Sequence, residues 1–423
     1  MNSFTRKLHI MVRDRHLRKA ILFTLGVLIA FRFLGSIPVP GVDPTVLAQF
    51  LENNQFFNFL NLFSGGGLSQ LSIVVLGVGP YITAAIIMQL MTTVSPKLKR
   101  LFHEEGSIGR KKFNNYSRLL TVPIAVVQGI GILTLLSNQG ALPELTTFGM
   151  VTNVLVVTAG SLLVMWLGEL ITEFGVGNGV SLLIFAGIVA SLPGVLSQLV
   201  QAYTTSELFN YVIYGIVVLL VIVAVVLINE AERRVTITYA KQVRGMSTYG
   251  GADTYVPMKV NQAGVMPIIF ALSILLFPQM VAGWLLESDI TWLAEAARVV
   301  TYVLQHQVWY PLIYFILVFG FTYFYTAITF DPEAMSENLH KSGAFVPGIR
   351  PGASTEEYFA KVASRLTFVG ASFLGLIAVL PIILLSTTGN AAVAIGGTGI
   401  LIVVSVVLDL IKKLDAQVAM RQY

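Results

Sequence analysis

Cysteine is absent from the 423-residue chain, which excludes a disulfide framework and any thiolate metal site. Charge is scarce as well. Asp, Glu, Lys and Arg make up 12% of the residues, about half of the roughly 25% that a soluble domain carries. The five histidines, His9, His16, His103, His306 and His340, are scattered. No GxxxxGK[ST] phosphate loop occurs, so the chain is not expected to hydrolyse nucleotide itself. Gly175, Gly177 and Gly179 imitate a dinucleotide fingerprint, but Val180 stands where its last glycine belongs. His103-Glu104-Glu105 is not HExxH, because Ser107 takes the place of the second histidine. Glu169 and Glu173 lie one helical turn apart near a membrane edge. They fit a paired acid/base or, as is far commoner, a solvated helix end. No catalysis, cofactor or metal is expected.

Apolar residues are plentiful: 55% of the chain is hydrophobic and the mean hydropathy is +0.77. A helical span needs about 20 apolar residues. Runs of that kind cover Ala20 to Ile37, Ser72 to Thr93, Leu119 to Leu136, Val151 to Leu170 and Val180 to about Val200. Others cover Phe209 to Ile228, Gly264 to Trp284, Trp309 to Phe330, Val362 to Leu385 and Ala391 to Leu410. These ten runs predict an all-α membrane protein with no room for a large soluble domain. The fifth run is interrupted by Pro193 and Gly194.

Positive charge in the loops gives the orientation. With the N-terminus in the cytoplasm, 25 of the 27 Lys and Arg fall on the cytoplasmic side. Arg298 alone falls outside, and Arg32 sits within the first span, to snorkel or to pair internally. Five spans starting inside and five starting outside are the arithmetic of an inverted repeat. Residues 1–19, with Phe4, Leu8, Met11 and Val12 at helical spacing among basic residues, read as a surface amphipathic helix. Residues 20–200 then form an N-terminal half, and 201–423 a C-terminal half carrying cytoplasmic loops 229–260 and 331–361.

The stretch Asn61 to Met91 is exceptional. Gly65, Gly66 and Gly67 are followed by Gly77, Gly79 and Pro80 inside apolar sequence, at a density that weakens a helix. In lipid such backbone survives only when it is buried in protein or lines a watery cavity. Two readings stand at this point. One is a short mobile segment, residues 62–71, feeding a span that begins near Ser72; the other is a re-entrant loop filling space between helices.

Two loops exceed what a connection needs. In the first, Val235, Ile237 and Tyr239 alternate with Thr236, Thr238 and Ala240, and a second extended run follows Gly250 and Gly251. This predicts a projecting hairpin with a long tip. In the second, Pro347, Gly348, Pro351 and Gly352 surround Arg350 and hold one cation at a loop tip. The span centres carry amides and hydroxyls rather than acids, so whatever passes between them is not held by a charged site.

Five motifs then carry a resemblance. LSIVVLGVGPYITAAIIMQL (Leu71 to Leu90), WLGELITEFGVGNGVSLLIF (Trp166 to Phe185) and KVNQAGVMPIIFALSILLFP (Lys259 to Pro278) resemble SecY signatures. So do YTAITFDPEAMSENLHKSGAFVPGIRPG (Tyr325 to Gly352) and GGTGILIVVSVVLDL (Gly396 to Leu410). The resemblance covers nearly the whole chain in order. It implies ten helices in two inverted five-helix halves, a clam-shell around a central pore. It implies a plug that includes Phe63, Ser64, Gly65, Gly66, Gly67, Leu68 and Leu71, and a pore ring of Val78, Ile82, Ile184, Ile269 and Ile402. Valine at position 78 is one methylene smaller than the family's commoner isoleucine. It implies a lateral gate with Gln89, Gln128 and Asn261 as its polar residues. It implies a docking surface with Arg233, Arg234, Lys241, Arg244 and Arg350, for a SecA-like motor ATPase or the ribosome. Small SecE- and SecG-like subunits, signal sequences, unfolded secretory or membrane proteins and the phospholipid bilayer are the implied partners. The bacterial cytoplasmic membrane is the implied location, with both termini cytoplasmic.

An aliphatic ring suits such a role, because a channel for unfolded chains has no fixed hydrogen-bonding substrate and a hydrophobic constriction can dewet. The alternative on topology is an inverted-repeat secondary transporter of small solutes, which needs a midplane substrate site that has no charged candidate here.

Overall fold

A computed structural model of the chain describes residues 13–40, 68, 71–138, 146–201, 208–239, 242–244, 247–249, 253–285, 290–388 and 391–420. Each of the ten apolar runs contains a helix. In chain order these are α1 (Arg15–Leu34), α2 (Gly79–Val94), α4 (Gly106–Asn138), α5 (Thr147–Phe174) and α6 (Gly179–Gln201) in the first half. The second half contributes α7 (Leu208–Glu230), α8 (Met266–Leu285), α10 (Trp309–Thr329), α12 (Ala353–Thr388) and α13 (Ala391–Ala419). Three short helices, α3 (Pro96–His103), α9 (Thr291–Gln305) and α11 (Pro332–Lys341), lie between them. By length and composition alone, α4, α5, the stretch α10 to α11 and α12 are able to cross a membrane.

Helix ends follow local chemistry. Asp14 caps α1 by accepting from the His16 and Leu17 amides at 2.8 and 3.1 Å. Asp331 caps α11 by accepting from Ala334 N at 3.1 Å, and His340 and Lys341 close its last turn, where they oppose the helix dipole. The fifth run is one helix, α6, and runs through Pro193. Arg32 occupies the last turn of α1 and is exposed.

The second span departs from expectation. It begins at Gly79 rather than near Ser72. Residues 72–78 are turns instead, stitched by Val75 N to Ser72 O at 2.9 Å and Gly77 N to Val74 O at 2.8 Å. Gly77 has φ +52° and Leu71 φ +40°, both left-handed and incompatible with a continuing helix. Pro80 lies in the first helical turn, where its missing N–H costs nothing.

The chain divides into two compact units. The first comprises residues 1–214, 272–310 and 381–423, the second residues 215–271 and 311–380. In the first unit α1 lies against α5 and α6, α6 against α13, and α4 against both α2 and α5.

In the second unit the strands β1 (Glu232–Tyr239), β2 (Gln242–Arg244), β3 (Ser247–Tyr249) and β4 (Asp253–Lys259) form the expected hairpin and tip. β1 pairs antiparallel with β4 from Glu232↔Lys259 to Thr238↔Asp253, and β2 pairs with β3. The two long loops, read from the sequence as separate, are joined. β5 (Ala344–Phe345) pairs with β1 through Thr238↔Phe345 and Tyr239↔Ala344, giving a sheet of order β4-β1-β5. The inward residues of the alternating strand, Val235 and Ile237, are 3% and 4% exposed. They join one core with Met258, Leu339, Val346, Phe359 and Val362. Hydrophobic burial there explains the join, since neither loop holds enough apolar surface to close a core alone.

Candidate functional site

The turn before α2 is buried in the first unit. Leu68, Leu71, Val75 and Leu76 are buried in one cluster with Val39, with Ala125, Ile132, Leu133 and Leu136 of α4, and with Val154 and Val157 of α5. A short bridge pins it: Pro38 opposes Ser72, Val39 N donates to Leu71 O at 2.8 Å, and Ile73 N donates to Ile37 O at 2.9 Å. On the α5 side Ser161 Oγ donates to the Gly77 carbonyl at 3.0 Å. Gly160 lies so close that an added Cβ would meet the Ile73 carbonyl oxygen. Small residues let backbones approach closely inside membranes. Phe63, Ser64, Gly65, Gly66 and Gly67 lie outside the described residues.

The five aliphatic positions are all buried: Val78 is 2%, Ile82 5%, Ile184 2%, Ile269 1% and Ile402 3% exposed. Four different helices or their entries supply them. Val78 is the residue before α2, Ile82 lies in its first turn, Ile184 in the second turn of α6 and Ile402 in α13. Ile269 opens α8 and belongs to the second unit, whereas the other four belong to the first. α6 and α13 pack through a small residue, Gly399, where an added Cβ would meet the Ile188 methyl at 2.9 Å.

The three amides have separate environments. Gln128 on α4 is 8% exposed and its Nε2 reaches Thr83 Oγ1 on α2 at 3.4 Å, a long contact. The Gln89 Oε1 atom is buried with no hydrogen-bond partner among the described residues. In the second unit Asn261 Nδ2 donates to Asn229 Oδ1 at 2.7 Å and to Gly264 O at 3.2 Å, while its own Oδ1 is buried without a partner among the described residues. The segment carrying Asn261 is held against α12, since a Cβ at Gly370 would come within 2.6 Å of the Val260 carbonyl oxygen. Asn229 and Thr83 escaped the sequence reading. Asn229 was visible only as a polar residue closing an apolar run, and Thr83 had no signal at all.

The joined sheet carries two of the predicted cations. Arg233 and Arg234 are exposed on β1. The Arg234 guanidinium bonds Glu232 Oε1 through Nε at 3.0 Å and lies 4.8 Å from the centre of the Tyr255 ring. The hydrogen bond to Glu232, helped by Tyr255, raises the Arg234 pKa above its ordinary value, so this cation stays charged. Arg244 lies on β2, and Lys241 falls outside the described residues. Arg350 is exposed on a loop that the core fastens from beneath through Val346. Its carbonyl accepts from Thr355 Oγ1 at 2.9 Å, and Ser336 Oγ bonds Gly352 O at 2.9 Å. Gly348 and Gly352 have φ of +83° and +101°, values that favour glycine. The loop is therefore preorganised, with a cation at its tip.

Glu169 is not half of an acid pair with Glu173. Its Oε1 accepts from Arg118 Nε at 2.6 Å, tying α5 to α4, while Glu173 is exposed.

Comparison with known proteins finds similarity over nearly the whole chain. The SecY family profile matches residues 72–411. A protein named protein translocase subunit SecY from Streptomyces scabiei is 40% identical over 435 residues, covering 96% of each chain. One of the same name from Halalkalibacterium halodurans is 41% identical over 421 residues, again covering 96% of each. Among solved structures, one described as "The structure of a protein conducting channel" is similar in fold, with TM-score 0.66 and 20% identity. It covers 96% of this chain and 94% of that one. A Sec61 chain from a canine ribosome–channel complex gives TM-score 0.60 at 20% identity, covering 96% of this chain and 94% of that one.

Proposed function

The chain belongs to the SecY family, and from that membership we infer that it is the channel-forming, non-enzymatic subunit of a protein translocase. It conducts unfolded polypeptides across a membrane and releases apolar segments sideways into the bilayer. The observation that carries this is the match at about two residues in five over nearly the full length of translocase subunits. The small-solute transporter reading has no comparable support.

The aliphatic residues Val78, Ile82, Ile184, Ile269 and Ile402 form the constriction that grips a passing chain without binding it. Their burial and their lack of polar atoms support the assignment. The segment 62–71 plugs the resting channel. The firmly seated turn after it supports this, since a plug needs a fixed hinge behind it. Gln89, Gln128 and Asn261 weight the lateral gate. Interhelical hydrogen bonds in membranes average roughly 0.6 kcal/mol and rarely exceed about 1.7, whereas burying one leucine gives about 1.5–3 kcal/mol. A signal sequence with several leucines therefore outcompetes the contacts that hold the gate shut.

Arg233, Arg234, Lys241, Arg244 and Arg350 dock a SecA-like motor ATPase or a ribosome, whose RNA suits a basic surface. The rigid Arg350 loop and the shared core beneath both loops support a single docking platform. Energy then comes from the partner. The protein sits in the bacterial inner membrane with both termini cytoplasmic, as loop charge argues, alongside SecE- and SecG-like subunits. Residues 1–19 lie on the membrane surface, and 20–200 and 201–423 are the two halves.

The test is a stalled secretory chain carrying one cysteine, offered under mild oxidation to variants with single cysteines at Ile82 or Ile269. Crosslinks at both positions are expected. A trapped chain that crosslinks to neither removes these residues from the path.

A further inference from the structure

Helix α9, Thr291–Gln305, joins two spans and has three distinct sides. Leu293, Ala297, Val300 and Leu304 share one side at helical spacing, and Ala297 is only 2% exposed, so this side packs on protein. Thr291, Glu295, Arg298 and Tyr302 share a second, polar side. Trp292, Ala296, Val299 and Val303 share a third, which is apolar and lies next to the packed side. Trp292 and Val299 on it are 66% and 62% exposed, and Tyr302 on the polar side is 65% exposed. An ordinary surface helix has no such third side, because its apolar stripe is the one that packs.

The tethers place this helix. Five residues join it to Leu285 of α8 and three join it to Trp309 of α10. The helix is about 22 Å long. Each linking residue spans at most about 3.6 Å, so an upright helix would use up most of the roughly 29 Å that the eight linking residues reach together. Lying along the boundary where α8 ends and α10 begins needs no stretch at all. Trp309, half exposed at the start of α10, adds an aromatic ring at the same level.

We propose that α9 is an interfacial helix whose Trp292–Val299 side is buried in the lipid headgroup and upper acyl region, with Glu295 and Arg298 facing water. The occupant of the exposed apolar side is thus the bilayer. Tryptophan and tyrosine are the side chains enriched at that depth, and helices of this pattern sink about 5–10 Å into the boundary. The inference rests on the ten-span fold and not on what the channel carries.

The test uses the complete complex in vesicles of phosphatidylethanolamine and phosphatidylglycerol. Trp166, Trp284 and Trp309, with any tryptophan of the small subunits, are replaced by Phe, which leaves Trp292 as the reporter. Its emission should be blue-shifted, quenched more by lipids brominated near the headgroup than by those brominated deep in the chain, and little affected by aqueous acrylamide. A second probe, an environment-sensitive dye on Val299→Cys in the otherwise cysteine-free chain, should report the same depth if the triple variant folds poorly. Strong acrylamide quenching without any bromine effect would overturn the proposal in favour of a solvated helix. Shielding from both quenchers, relieved only when the small subunits are stripped away, would overturn it in favour of a protein-binding face.

Discussion

Replacing Gly160 by alanine puts a methyl group where the Ile73 carbonyl oxygen lies. The obstructing atom is backbone and cannot swing aside as a side chain would. The turn at 72–78 must therefore move off α5, although the Pro38–Ser72 bridge and the Ser161–Gly77 hydrogen bond hold it there. Overpacking of this kind costs about 1–3 kcal/mol, which shifts an equilibrium between seated and unseated turn by about 5–150-fold. With the segment 62–71 proposed as the plug and this turn directly behind it, the resting seal should loosen. The assay is single-channel conductance of the purified complex in a planar bilayer without substrate, paired with export of a reporter whose signal sequence is crippled. More frequent resting openings and increased export of the crippled reporter are expected. Ser161→Ala should act in the same direction without added bulk. It leaves the Gly77 carbonyl without its donor, at a cost of about 1–3 kcal/mol. If both variants fold normally, and both leave resting conductance and signal stringency unchanged, the turn is not the seat of the seal and the reasoning fails.

Three further outcomes are expected. Arg350→Glu should cripple transport while the protein stays folded in the membrane, and normal secretion by this variant would strike Arg350 from the docking surface. Phe359→Ala should destabilise the joined sheet by about 3–5 kcal/mol. It should expose residues 232–259 to protease and weaken motor binding, while the spans stay intact; an unchanged digestion pattern would show that the two loops do not share a core. Leucine in place of Gln89, Gln128 and Asn261 together should change the signal hydrophobicity needed for export. An unaltered hydrophobicity threshold counts against a gate weighted by polar contacts.

The ten spans and their five-and-five arithmetic were legible in the sequence because the transfer of apolar side chains out of water adds up residue by residue along a local window. The alternation Val235, Ile237 and the paired prolines and glycines around Arg350 likewise carried their own backbone preferences. The proposed aliphatic ring was not legible from hydropathy, since Ile82 or Ile402 looks like any other apolar residue in a chain this rich in them. Only the motif resemblance singled those positions out.

The start of α2, the pairing of β5 with β1, and the partners of Gln128, Asn261 and Glu169 were decided by tertiary structure alone. Each depends on a group far away in the chain: Ile37 for Ile73, Tyr239 for Ala344, Thr83 for Gln128, Asn229 for Asn261, Arg118 for Glu169. A hydrogen bond or a shared core is a property of two surfaces meeting. A single stretch of sequence states what each surface offers, and the fold selects which of the possible partners it meets.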